Sequence, residues 1–144
     1  MEPRSRVFYL THPQVRIDPA VPVPQWGLSD AGRARAGIAA RSAWTGNVRR
    51  IVSSAETKAV ETASVVAEAR GLGVEVREAM HENDRSATGF LAPPEFEAVA
   101  DRFFAAPTAS VRGWERAADA QSRIVAEVEA VLAGADSGGD LLLV

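Results

Sequence analysis

The chain has 144 residues, 47% of them hydrophobic and 24% charged, with a net charge of −3 and no cysteine. Those values fit one globular domain in a reducing compartment and exclude disulfides and thiolate metal sites. An acidic chain lacks the basic face of a nucleic-acid binder, no apolar run approaches membrane-spanning length, and residues 1–6 lack a signal-peptide core. The expectation is a cytoplasmic protein with no nucleic-acid or membrane partner.

In the opening run Arg6-Val7-Phe8-Tyr9-Leu10-Thr11-His12-Pro13, residues 7–10 read as a short buried strand ended by a turn at Pro13. His12 then stands at the carboxyl end of a strand, where open α/β sheets hold their ligands. Residues 13–27 contain Pro13, Pro19, Pro22 and Pro24 and read as a loop, of a length that is often functional. Ser29 reads as the N-cap of a helix to about Ala43, despite Gly32 and Gly37. Residues 50–53 give a second strand. A helix over 56–70 follows, with Ala59, Ala63 and Val66 on one stripe and Gly71 as its stop.

Residues 74–76 read as a third strand and 81–93 as a polar loop, with Pro94 in the first turn of a helix through Phe104. After a break over 107–113, a helix over 115–133 carries Ile124, Val125, Val128, Val131 and Leu132 on one face at helical spacing. A turn over 134–139 leads to a last buried strand at 141–144. The alternation predicts an α/β fold: three α/β/α layers around a mainly parallel sheet, with Leu10, Val52 and Val144 ending at one edge.

Three segments follow one another in a familiar order: the strand with His12, then Leu28-Ser29-Asp30-Ala31-Gly32-Arg33-Ala34-Arg35-Ala36, then Ser54 through Lys58-Ala59 to Thr62-Ala63. In order and spacing the chain resembles the histidine phosphatase superfamily, the phosphoglycerate-mutase-like proteins. The resemblance implies that family's fold, as a single domain over 1–144 that is incomplete at its C-terminus. It implies hydrolysis of a small phosphomonoester through a phosphohistidine, with no metal and no cofactor. His12 would be the phosphorylated nucleophile, and Glu82, in Met80-His81-Glu82-Asn83-Asp84-Arg85, the acid that protonates the leaving oxygen.

Two departures bear on the chemistry. Thr11-His12-Pro13 stands where the family has Arg-His-Gly, and Lys58 stands for a second arginine, keeping the charge but losing the bidentate fork. The family's second catalytic histidine, in a Gly-His-Gly turn after the last strand, has no counterpart in these residues. Preorganised donors of this kind are worth roughly 10²–10³-fold each, so the 144-residue chain is expected to bind phosphate with little turnover. Ending at Val144 should also leave one sheet face partly uncovered.

Each candidate has a plainer alternative. A nitrogen nucleophile divides hydrolysis into two easier steps and needs a neutral imidazole whose other nitrogen is held, here by a backbone carbonyl. The alternative is a histidine that merely caps the strand. Lys58, Ser54 and Thr11 are candidate phosphate ligands, through a cation and through hydroxyls and free N–H groups at a helix entrance. Alternatively, Lys58 is solvated and pairs with Glu61 or Thr62. Arg16 could replace the absent arginine or simply face solvent.

Glu82 needs a raised pKa through partial burial to act as a general acid. Asp84 is its rival, and acids merely paired with Arg85 are the plain reading. Phe90, Phe96, Phe103, Phe104 and Trp114 fit a core better than a substrate lid. The alternatives to a phosphatase are a non-catalytic binder of phosphate or a phosphoester and a mutase-type phosphoryl transfer. In every case the partner is a small phosphorylated molecule or phosphate. Two histidines without close spacing do not build a metal cage.

Overall fold

The computed structural model describes residues 4–134 and 138–144; part of the expected 134–139 turn lies outside them. Strands β1 (Val7–Tyr9), β2 (Val48–Ser53), β3 (Glu75–Val76) and β4 (Asp140–Leu143) form one sheet. All pairings are parallel, in the order β1-β4-β2-β3. Helices α1 (Asp30–Ala40) and α2 (Thr57–Arg70) lie on one face and α4 (Ala117–Ala133) on the other, while α3 (Pro93–Ala105) belongs to a separate apolar cluster. The layers are the expected α/β/α.

The two central strands are buried on both faces, as parallel sheets require. Ile51, Leu142 and Val144 face α1 and α2, whereas Val52, Leu141 and Leu143 face Ile124, Val128 and Val131 of α4. This is the two-residue period of a strand. A register shift between Val48 and Arg50 lets Val48 share the face of Ile51. Gly71 ends α2 with φ at 66°, a left-handed cap whose N–H reaches the Ala67 and Glu68 carbonyls.

Three expectations need correction. β1 is an edge strand buried on one side only: Phe8 and Leu10 pack inward, but Val7 and Tyr9 are 50% and 75% exposed. The reason is that α4 packs on β2 and β4 and does not reach β1. Val125 and Leu132 of α4 are exposed for the same reason, since the apolar stripe is wider than the sheet area the helix covers. Finally, α1 stops at Ala40 rather than about Ala43. The Ala40 carbonyl is taken by the Thr45 hydroxyl at 3.0 Å and the Arg70 guanidinium at 3.3 Å, which satisfies the helix end without another turn.

The carboxyl ends of the strands meet as expected. Leu10 N–H donates to Leu143 O at 2.9 Å, Val144 N–H to Val52 O at 2.9 Å and Ser54 N–H to Val144 O at 3.0 Å. With β4 between them, the ends of β1 and β2 lie about 10 Å apart, two strand spacings. At the opposite edge the buried Asp140 carboxylate ties β4 to β1, accepting from Arg6 N–H at 2.8 Å and the Arg6 guanidinium at 3.0 Å. The backbone N–H of Arg6 in particular holds Asp140 below the usual carboxylate range, outweighing burial. A depressed folded pKa contributes stability that is present above the unfolded value, about 3.9, and lost as pH falls through the folded value. Thermal melts from neutral pH to about pH 3 should show this loss, and Asp140→Asn should be less stable at neutral pH with a flatter acid limb.

No helix among the described residues is long and apolar enough to cross a membrane.

Candidate active site

The end of β1 delivers His12, and the next residue fixes its ring. Nδ1 lies 2.8 Å from the Pro13 carbonyl oxygen. A carbonyl only accepts, so in the neutral ring Nδ1 carries the hydrogen and Nε2 keeps its lone pair. This is the anchor the sequence calls for. The loop then docks on the entrance to α1. Ser29 donates to Gln14 O through its N–H at 3.1 Å and its hydroxyl at 3.3 Å, and Arg16 N–H donates to Gly27 O at 2.8 Å. Ser29 is the expected N-cap, its Oγ accepting from Gly32 N–H at 3.0 Å. Gly32 has a specific reason: a Cβ there would fall 2.0 Å from Gln14 O. The second motif thus buttresses the loop that holds the first.

Ser54 and Lys58, at the end of β2 and the start of α2, are both buried. Lys58 Nζ lies 2.7 Å from Glu82 Oε1 and 3.6 Å from Glu56 Oε2. It is not the solvated lysine of the plain alternative. Glu61 accepts instead from Leu28 N–H at 2.9 Å and Arg33 at 3.0 Å, and the Thr62 hydroxyl donates to the Lys58 carbonyl. Glu56, itself buried, accepts from the Ser54 hydroxyl at 3.2 Å and from Glu82 N–H at 3.1 Å. The expected free N–H at Ser54 is not there: the sheet uses it, because β4 runs one residue past its last ladder pair.

Glu82 meets two cations, Lys58 and, at 2.9 Å, Arg85. Burial pushes its carboxyl up, but the hydrogen bonds and charges of Lys58 and Arg85 outweigh that and hold it below the usual range. The raised pKa expected of a general acid is therefore absent from the ligand-free site. The Asp84 carboxylate accepts from Ser86 N–H at 2.8 Å and makes no ion pair with Lys58, so Glu82 is the acid at the cation. Arg123 pins this loop to α4, donating to the carbonyls of Ala79 at 2.8 Å and His81 at 2.7 Å.

A cleft of about 620 Å³ opens beside Glu82, between Pro22, Val23 and Pro24 on one side and His81, Glu82 and Arg85 on the other. Thr11 is exposed at the edge next to His12. Arg16 is placed elsewhere: it lines a separate pocket of about 410 Å³ with Asp18, Gln25 and Trp26. Its backbone N–H pairs with the Gly27 carbonyl ahead of α1.

The aromatic residues divide. Phe103 and Trp114 are buried in the α3 cluster, with Phe96 against Trp114. Phe104 is 75% exposed, and Phe90 packs on Trp26. Core packing thus fails for Phe104, which α3 turns to solvent, and for Phe90, which is exposed despite Trp26, and none of the five lines the cleft.

The structure joins Ser54, Lys58 and Glu82 through Glu56, and brings Thr11 and His12 to the same edge from β1. Glu56 and Arg123 escaped sequence reasoning. Glu56 falls between motif positions, and only packing shows that it is buried. The one cue was its place in the Ser54-Ala55-Glu56-Thr57-Lys58 run.

Known proteins share this fold. Mycobacterial glucosyl-3-phosphoglycerate phosphatase, solved with inorganic phosphate, aligns at TM-score 0.76 with 25% identity, covering 98% of this chain and 72% of that one. Bacillus stearothermophilus YhfR aligns at TM-score 0.71 with 20% identity, over 95% of this chain and 71% of that one. Phosphoglycerate mutase from Bacillus anthracis aligns at TM-score 0.64 with 21% identity, over 97% and 74%. No curated protein sequence matches the chain. The family model of the histidine phosphatase superfamily (branch 1) matches residues 19–144, beginning just after His12. The chain belongs to the histidine phosphatase superfamily.

Proposed function

We propose that the chain binds the phosphoryl group of a small phosphomonoester at the carboxyl edge of its sheet and accepts it on His12, as a phosphatase of the histidine type. The observation that carries this reading is the His12 ring itself: Nδ1 is committed to the Pro13 carbonyl, and the Nε2 lone pair is left for phosphorus. In the first step a bond forms from Nε2 to phosphorus while the ester P–O bond breaks. The leaving oxygen takes its proton from Glu82. Water then attacks phosphorus and gives its proton to the Glu82 carboxylate, the N–P bond breaks, and phosphate leaves with the ring neutral and Glu82 restored.

Lys58, the Ser54 hydroxyl and Thr11 would hold the phosphoryl oxygens. The mycobacterial phosphatase of the same fold has been solved with phosphate and with VO3, which supports phosphate as the class of ligand. A second reading, a binder without turnover, is favoured by the two carboxylates already on Lys58.

Phosphate titration followed by NMR separates these readings from no function at all. Shifts at His12, Ser54 and Lys58 at millimolar phosphate are expected, and unperturbed signals at all three would reject the site. An assay with an activated aryl phosphate and no added metal then decides between phosphatase and binder.

A further inference from the structure

The cation of the proposed phosphate site is already spoken for. Lys58 Nζ is shared by Glu82 at 2.7 Å and Glu56 at 3.6 Å, and its side chain is only 6% exposed. Glu56 holds the arrangement together, because it also accepts from the Ser54 hydroxyl and from the backbone N–H of Glu82. Arg85 adds a second cation on Glu82 at 2.9 Å. Two positive groups face two carboxylates, so the unit is electrically balanced before any ligand arrives. A phosphoryl dianion entering it would meet no net attraction.

We propose that phosphoryl binding exchanges Lys58 from Glu82 to the ligand and is coupled to uptake of one proton by Glu82, with Glu56 the positioning residue that keeps the carboxylate pair on the lysine. The inference rests on Lys58 being the phosphate cation. Its chemistry follows from the two cations that hold the half-exposed Glu82 carboxylate. With Lys58 in place, hydrogen bond and charge keep Glu82 ionised. Once Lys58 turns to phosphate, Glu82 loses a cation and gains an anionic neighbour, and both changes favour the protonated acid. The proton taken up is then the one the leaving oxygen requires. The low pKa of Glu82 in the free site is thereby reconciled with its role as an acid.

Other charged groups near Glu82 are accounted for. Its carbonyl accepts from Arg123 at 3.3 Å, and Arg123 is in turn neutralised by Glu115 at 2.6 Å. His81 precedes Glu82 in the chain, and Glu78, Asp84 and His81 share the cleft wall with it. None of these contacts the Lys58 ammonium through an ion pair.

Isothermal titration with inorganic phosphate, in buffers of different ionisation enthalpy, counts the protons. At about pH 8 the ligand is largely a dianion, and comparison with Glu82→Gln separates uptake by Glu82 from uptake by the ligand. The wild-type chain is expected to take up protons on binding phosphate, more of them as pH falls from about 8 toward about 6, with affinity falling as pH rises. Glu82→Gln should bind phosphate without proton uptake and with a flat pH profile. Glu56→Gln keeps the shape but removes one counter-charge, and should bind roughly tenfold more tightly at that pH, the effect of about one pKa unit of interaction.

Wild-type binding without uptake would overturn the inference and leave the phosphate site standing. Undiminished uptake in Glu82→Gln would also overturn it, by placing the proton elsewhere. Failure of the wild type and both variants to bind phosphate would remove the site itself.

Discussion

Gly32→Ala is expected to destabilise the protein, although the same change inside an exposed helix normally adds up to about 1 kcal/mol through helix propensity. The added Cβ would lie 2.0 Å from the Gln14 carbonyl oxygen, a backbone atom that cannot swing aside as a side chain can. Either α1 shifts or the 12–16 loop does. Each route breaks the paired hydrogen bonds from Ser29 to Gln14 and the Arg16–Gly27 bond. Overpacking of this kind costs about 1–3 kcal/mol, before the lost hydrogen bonds are counted. Gly37→Ala, in the same helix, is the internal control. Its Cβ would meet only the mobile Arg41 guanidinium at 3.3 Å, so a neutral or stabilising outcome is expected. Urea denaturation of both variants gives opposite signs if Gly32 serves the loop. A shifted His12 imidazole signal in Gly32→Ala would further show that the loop, rather than the helix, moved. Equal and small effects at both positions would mean that the close approach is not maintained in solution.

Removal of the His12 imidazole should have the largest functional effect. With phosphoramidate as a reactive donor, the chain is expected to acquire a single acid-labile phosphoryl group as the donor P–N bond breaks and ammonia leaves. His12→Ala should reduce that labelling to background. Any hydrolysis the protein supports should fall with it by roughly 10⁴-fold or more, the scale seen when a catalytic nucleophile is deleted. Phosphate affinity should fall only a few-fold, because Lys58 and Ser54 remain. That split between chemistry and binding identifies a nucleophile rather than a ligand. Labelling that survives in His12→Ala, or that moves to His81, would show that the Nε2 lone pair serves another purpose. Loss of binding in step with labelling would make His12 a phosphate ligand only.

Local physics was legible in the sequence wherever one residue acts on its own neighbourhood. Ser29 caps α1, Gly71 ends α2 in a left-handed turn, and the apolar alternation of 51–52 and 141–144 marks strands buried on both faces. The His12 anchor belongs to this class, because its partner is the carbonyl of the next residue. Such features depend on short-range geometry that a string of residues already contains. The order of the strands did not follow from it. The insertion of β4 between β1 and β2 decides that the segments carrying His12 and Ser54 leave the sheet with one strand between them. It also leaves Val7 and Tyr9 beyond the reach of α4.

The same division runs through the candidate site. Residue types and spacing singled out His12, Lys58 and Glu82, since phosphoryl chemistry needs a nucleophile, a cation and a proton donor. The raised pKa that a general acid needs could not be checked from the chain alone, and the charges around Glu82 lower it instead. Lys58 lies 24 positions from Glu82 in the chain and Glu56 lies 26 positions away. Their charges act on Glu82 through space at a few ångströms, and only the fold brings them there. The chain by itself thus determined which groups are present and how each local segment bends. The tertiary structure alone decided which charges become neighbours, because electrostatic interaction depends on distance in space and not on separation along the chain.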